Sequence, residues 1–428
     1  MDTSDTSPNR IPSPSASSPS TSLWRSAAYR RWFAADTSDV VAVNLRAFVI
    51  PLIALQLSGS AFAAGLIVTI ESAIGLVLMP IGGTLTDRHD RRRMMIGLGV
   101  IGLILSLAAT ALLGARAMTI GLFAVLVMAF AVMNGLLGPS NDAILKSIVP
   151  MDRFAKAQAV REAREACVEL SGGAIGGLLY TVGSWFPFLT SAALYGVAAV
   201  TAAGLPADSG HGGHRDGEAP ASFVAHFIEG WRWAMTRRTV VAAIAQGAVA
   251  NVACYGSVIG VQIMLASHGT DAVLIGAVGV GSGLAALVGS LIAGRLVDRV
   301  PTGALIIATF AVFSAAMVPL LFTDSYPVIV ACMTVSSLLF PALNAGELGF
   351  IYGKTPDDMQ GRMSAAFETS VGVPGALTPA MVGWLLQRFG WRTMMALVVA
   401  CALIALILAC TSATRSIPRP EQWDGHDL

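Results

Sequence analysis

The sequence predicts an all-α integral membrane protein with twelve transmembrane helices in two pseudo-symmetric six-helix bundles. Three observations carry that prediction. The 428 residues are 55% hydrophobic and 12% charged, with a mean hydropathy of +0.69, which leaves too few polar side chains to cover a soluble protein of this length. The apolar residues gather into twelve runs, each near the roughly 20 residues that cross a hydrocarbon core of ~30 Å. A polar motif also returns half a chain later. Gly82 to Arg93 reads GGTLTDRHDRRR and Gly294 to Arg299 reads GRLVDR, so that Gly83, Leu85, Asp87 and Arg88 recur as Gly294, Leu296, Asp298 and Arg299, each 211 residues on. A repeat of this length in two hydrophobic halves marks a chain built from duplicated bundles.

In chain order, residues 1–22 are rich in Ser, Pro and Thr and lack the apolar core of a signal peptide. They are expected to be a disordered cytoplasmic tail. The N-terminal bundle, 23–204, holds spans near 34–57, 62–85, 94–114, 119–140, 160–182 and 186–204. Residues 205–238 form a cytoplasmic linker: Ala207 to Ala221 is polar, and Ser222 to Met235 is amphipathic, with Phe223, Phe227, Trp231 and Trp233 available to the membrane surface. The C-terminal bundle, 239–412, holds spans near 239–265, 272–296, 302–323, 326–348, 364–386 and 392–412, and 413–428 is a second cytoplasmic tail. A second echo joins the fifth and eleventh spans, because Pro150, Asp152, Glu162 and Gly177 recur as Pro356, Asp358, Glu368 and Gly383, each 206 residues on.

Basic residues set the expected orientation. With both termini cytoplasmic, the outer loops hold only Arg116, Arg388 and Arg392, and Arg46 lies within a span. The other 23 of the 27 Lys and Arg then fall on or beside the cytoplasmic side, as the positive-inside rule requires. The five cysteines all lie in apolar segments without CxxC spacing, so they read as packing residues, with neither a disulfide framework nor a metal site.

Gly83-x-Leu85-x-Asp87-Arg88, followed by Arg91 and Arg92, resembles the signature loop between helices 2 and 3 of the major facilitator superfamily. The form DRHDRRR, preceded by Glu71, most resembles the enterobactin-exporter branch and its drug-efflux relatives, over roughly Leu57 to Met95. Asp90 stands where the usual pattern has glycine. The resemblance implies a secondary transporter of a small molecule that alternately exposes a midplane site between the bundles. It would be a monomer in the plasma (inner) membrane, with the lipid bilayer as its surroundings and no nucleic acid partner. Gly83, Leu85, Asp87, Arg88, Arg91 and Arg92, with Gly294, Asp298 and Arg299, would form cytoplasmic gate motifs, where a carboxylate can meet a helix N-terminus or a basic side chain of the other half. Gly172, Gly173, Gly176 and Gly177 offer a small-residue surface for close helix contact. They resemble the glycine-rich fifth helix of superfamily antiporters, with Gly173 where those have proline. The fourth span lacks the arginine that many drug and proton antiporters carry there.

Ionisable residues inside spans are costly and call for a cavity or a partner. Arg46, Glu71, Glu162, Glu165, Glu169, Glu347 and Glu368 are of this kind, in spans 1, 2, 5, 5, 5, 10 and 11. Spans 3, 6, 9 and 12 have none, and those four stand outside the central cavity in the superfamily. Glu162 and Glu165 neighbour Arg161 and Arg164 and read as paired charges at the inner rim, whereas Glu169 lies deeper. Arg46 and Glu71 lie at similar depth below the connection near Ser58, which fits either a structural ion pair or a substrate and proton site. Arg46 and Glu71, then Glu169, Glu347 and Glu368, are the candidates for substrate binding and proton coupling. No GxxxxGK[ST] motif is present, so the expected energy source is a proton gradient, without a cofactor. All six histidines fall outside the spans, leaving no catalytic constellation for a membrane enzyme. Proton-coupled export of a small organic molecule such as a siderophore is the expected function, ahead of multidrug efflux and then import, with a membrane-embedded enzyme or transporter-like sensor as the reading from a different class.

Overall fold

The computed structural model describes residues 22–206, 223–356 and 359–425. Apart from Ser22, the expected disordered tail lies outside these residues, as does the polar linker from 207 to 221. Every described element is helical. The first bundle comprises α1 (Ala27–Ser58), α2 (Ala61–Arg88), α3 (Arg91–Gly114), α4 (Ile120–Leu137), α5 (Pro139–Ile148), α6 (Met151–Val182) and α7 (Phe186–Ala203). After α8 (Phe223–Met235) the second comprises α9 (Arg238–Ser267), α10 (Ala272–Arg299), α11 (Thr302–Met317), α12 (Tyr326–Ser337), α13 (Phe340–Lys354), α14 (Gln360–Phe389) and α15 (Trp391–Ala409).

Side-chain caps start several spans: Ser26, Ser60, Asp90 and Thr119 each accept a backbone N–H from the first turn that has no partner within its helix. Asp90 therefore has a local reason to replace glycine, since it caps α3 and also meets Arg93 at 3.4 Å. Gly59, at φ +64°, makes the tight reversal between α1 and α2 that a residue with a Cβ resists.

Two predicted spans run further than expected. Span 4 breaks at Gly138 and restarts with Pro139 in the first turn of α5, and span 10 breaks before Phe340 and continues as α13. Eleven described helices are long and apolar enough to cross a membrane. The twelfth span is α6, as long as α1 at 32 residues. Charges in its first half lower its hydropathy, but it packs along α1 and α10 as a span does.

Each bundle has its own core. Phe123, Phe130, Phe188 and Tyr195 centre the first, extended towards the termini by Tyr29 and Trp32. Met317, Met394 and Val398 centre the second, extended likewise by Phe310 and Phe350. Outward-facing Ile104, Val125, Val200, Leu291 and Ile407 are exposed, a surface for acyl chains rather than water. Beyond α15 the chain folds back on the second bundle: Gly303 N donates to Ile417 O at 3.1 Å, and the Trp423 ring packs edge-on against Phe350.

Candidate functional site

The bundles meet at the end opposite the termini, where neighbouring helices cross with almost no side chain between them. A Cβ on Gly65 of α2 would run into the Pro379 carbonyl of α14, and one on Gly383 into the Ala61 carbonyl. The second crossing has the same form. A Cβ on Gly276 of α10 would run into the Gly173 carbonyl of α6, and one on Gly177 into the Ala272 carbonyl. The same two offsets relate the crossings: Ala61 and Gly65 map onto Ala272 and Gly276 by 211, and Gly173 and Gly177 onto Pro379 and Gly383 by 206. Gly172 and Gly176 instead face Asn44 and Phe48 of α1. Polar bonds fasten the seal: Ala380 N donates to Thr69 Oγ1 at 2.9 Å, Ser60 Oγ and Phe62 N to Gln387 Oε1 at 2.7 and 2.9 Å, and Gln262 Nε2 to Phe48 O at 2.6 Å.

The other end is open, and the repeated motifs stand in it. Asp87, Arg88, Asp298 and Arg299 are exposed and have no partner among the described residues. Beyond the local backbone of its own helix, nothing lies within 4 Å of where a Cβ on Gly83 or Gly294 would stand, whereas Gly82 packs on the Gly135 and Leu136 backbone of α4. Leu85 is half-buried. Arg91 and Arg92 brace the loop within their own bundle, donating to Ala143 O at 3.4 Å and Ala203 O at 2.5 Å.

Inside the first bundle lies a polar cluster larger than the sequence indicates. Arg46 is 2% exposed, with its guanidinium 4.2 Å from the Phe130 ring centroid and donating to the Tyr195 hydroxyl at 2.5 Å. Glu71 is half-buried on the face of α2 that also carries Gly82, since 11 residues turn a helix by only about 20° from a whole number of turns. It forms no ion pair with Arg46 within 4 Å, although the Arg46 charge acts on it. Towards the termini, Asp36 pairs with Arg164, which also meets Glu165 at 2.9 Å, and Arg161 bridges Glu165 at 2.8 Å and Asp142 at 2.7 Å. Asp39 accepts from Asn141 Nδ2 at 3.0 Å. Asp36, Asp39, Asn141 and Tyr195 are missing from the sequence candidates. The spacing of the two aspartates by three residues on one helical face was the available signal.

The remaining candidates separate. Glu169 is exposed on α6, within about 20° of the direction of Gly176 and one turn below the seal. Glu368 is exposed on α14, within about 20° of Gly375 and Pro379, and accepts from Ser364 at 2.9 Å. Glu368 thus lies on the face of α14 that meets α2 of the other bundle, Glu169 on the face of α6 that is turned to Phe48 of α1, and both carboxylates remain exposed. Glu347 does not: it is 7% exposed inside the second bundle, where Gln246 Nε2 donates to it and Thr414 donates to Gln246 at 3.3 Å. A recess of about 640 Å³ lies on the far side of the seal, bordered by Gln56, Tyr180 and Asp271, and none of the sequence candidates lines it.

Compared with known families, the chain matches the Major Facilitator Superfamily over residues 40–258 and again over residues 241–426. No curated protein matches the sequence. Among solved structures, a bacterial homologue of the human lysosomal transporter Spinster, inward-facing and unoccupied, is similar with a TM-score of 0.69 and 14% identity, over 91% of this chain and 98% of that one. A bacterial homologue of the iron transporter ferroportin, in an inward-facing state, has a TM-score of 0.65 and 14% identity over 92% and 100% of the two chains. The nucleoside transporter NupG gives 0.65 and 11% over 89% and 98%.

Proposed function

Because the chain belongs to the major facilitator superfamily, we propose that it is a proton-coupled exporter of a small organic molecule, working by alternating access. The paired seal carries this reading: two symmetry-related crossings close one end of the inter-bundle space while the other end stays open. With both termini cytoplasmic, the open end faces the cytoplasm, and a ligand entering there meets Glu169 and Glu368. Parting the glycine crossings releases it outward as the motifs around Asp87 and Asp298 come together. Glu71 serves as the proton carrier, because a buried carboxylate that gains and loses the influence of Arg46 can bind and release a proton during the cycle.

The resemblance of the loop after α2 favours a siderophore as cargo. A second reading, efflux of cationic drugs, is favoured by the two exposed carboxylates Glu169 and Glu368, while the Arg46 guanidinium lies buried between two rings. Proteoliposomes with an imposed pH gradient separate the two, using a catechol siderophore and a lipophilic dye cation as alternative cargoes. Gradient-driven movement of one cargo is expected, lost in Glu71→Gln with binding retained. Full activity of an Arg46→Glu, Glu71→Arg exchange would instead make the two residues a structural pair and end the coupling role.

A further inference from the structure

Asp39 on α1 is 7% exposed and Asn141 on α5 is 5% exposed. One bond joins them, from Asn141 Nδ2 to Asp39 Oδ2 at 3.0 Å. Each side chain keeps a second buried oxygen, and neither Asp39 Oδ1 nor Asn141 Oδ1 has a hydrogen-bond partner among the described residues. An ionised carboxylate only accepts, and so does an amide oxygen, so these two atoms cannot satisfy each other. Turning the amide over does not help, because it sets Asn141 Oδ1 against Asp39 Oδ2. One added hydrogen does help. A proton on Asp39 Oδ1, donated to Asn141 Oδ1, would give both oxygens a partner, in the two-bond arrangement that a carboxylic acid makes with a primary amide.

The surrounding charges agree with one proton here. On α1 itself stand Asp36 and Arg46; α6 contributes Arg164, which Asp36 and Glu165 engage; α5 contributes Asp142, which Arg161 engages. α7 presents the Tyr195 hydroxyl, which accepts from Arg46 and lies close enough to the Asp39 carboxylate for its O–H to interact with it; α4 presents the Phe130 ring; and α2 brings Glu71 under the influence of Arg46. The Arg46 charge acts on both Asp39 and Glu71, so one cation faces two carboxylates.

We propose that Asp39 and Asn141 form a proton-holding acid–amide pair, a second proton site that shares the Arg46 charge with Glu71. Its part in transport rests on the proton-coupled reading above; its existence does not.

Infrared spectra of the purified full-length protein in lipid nanodiscs test the pair without any cargo. The difference between wild type and Asp39→Asn at neutral pH is expected to contain the C=O band of a hydrogen-bonded carboxylic acid, moving on exchange into D2O. Asn141→Leu leaves the carboxyl in place and is expected to move that band to the position of an acid without its amide partner. This second variant decides the matter alone if Asp39→Asn fails to insert. Absence of the acid band, or an unchanged band in Asn141→Leu, overturns the proposal. Glu71→Gln keeps the two readings apart: the Asp39 band present with transport still coupled defeats the Glu71 role only, and the band absent with coupling lost in Glu71→Gln defeats the pair only.

Discussion

At the scale of single residues, Arg164 ties together the half of the first bundle that lies nearest the termini, since its guanidinium answers Asp36 across helices and Glu165 on its own helix. Arg164→Ala leaves Asp36 buried without its counter-charge, and removing one partner of a buried pair typically costs about 3–5 kcal/mol. The detergent-solubilised variant should therefore unfold at a clearly lower temperature, with Asp36→Asn added to Arg164→Gln recovering most of the loss; a wild-type midpoint in Arg164→Ala would show the pair to be ornamental. The sequence made Arg161, Arg164, Glu162 and Glu165 visible as rim charges, and the local Arg161–Glu165 bridge follows directly from their spacing of four. The cross-helix partner was hidden for a geometric reason. The apolar run starts near residue 34, whereas α1 begins at Ala27, so Asp36 and Asp39 lie two to three turns inside the helix rather than at its edge. Asn141 and Tyr195 carry no formal charge and leave no trace in a search for intramembrane ions. Depth along the helices was likewise legible for Arg46 and Glu71, but not the direction in which each side chain points.

At the scale of helices, the glycines of α6 and α10 decide whether the seal can close. Gly276→Val should hold the crossing apart, because the new side chain meets backbone that cannot turn aside. A cysteine placed near Gly173 should then react more with an impermeant thiol reagent added from the far side, and transport should fall; unchanged labelling would mean that the crossing is not the gate. Gly83→Ala is the contrasting case, adding a methyl group where this conformation has open space. Its effect should appear only in the alternate state. Asp87→Asn belongs with it: the exposed carboxylate has no partner here, so the substitution should spare abundance while weakening closure of the open end, seen as lower transport and greater cysteine accessibility from that side. Normal expression with wild-type transport and accessibility would remove Asp87 from the gate. The small-residue face of the fifth span was readable from periodicity, but its partner was not. Gly276 sits in an unremarkable apolar run, and only the repeat offsets single it out.

At the scale of the whole molecule, the twelve-span layout predicts a simple pattern of reporter fusions. A periplasmic reporter should be silent after Arg93 and near Gly212 and active near Gly269; the reverse at any of these would overturn the placement of the termini. Hydropathy and the half-chain repeat made the two bundles legible, because burial in lipid and duplication both write themselves along the chain. Which end is closed could not be read, since hydropathy and the repeat mark the helices of each bundle and not the contacts between bundles. The backbone-to-backbone crossings have a further consequence for the membrane that houses them. A bilayer holding an electrochemical gradient loses it through any continuous file of water. Along these crossings Ala380 N and Phe62 N are bonded to Thr69 and Gln387, and the glycines carry no side chain on which a water molecule could be anchored. The closed end thus offers water few free polar groups to settle on, and under the proposed cycle it would keep the stored gradient from leaking while the opposite end stands open.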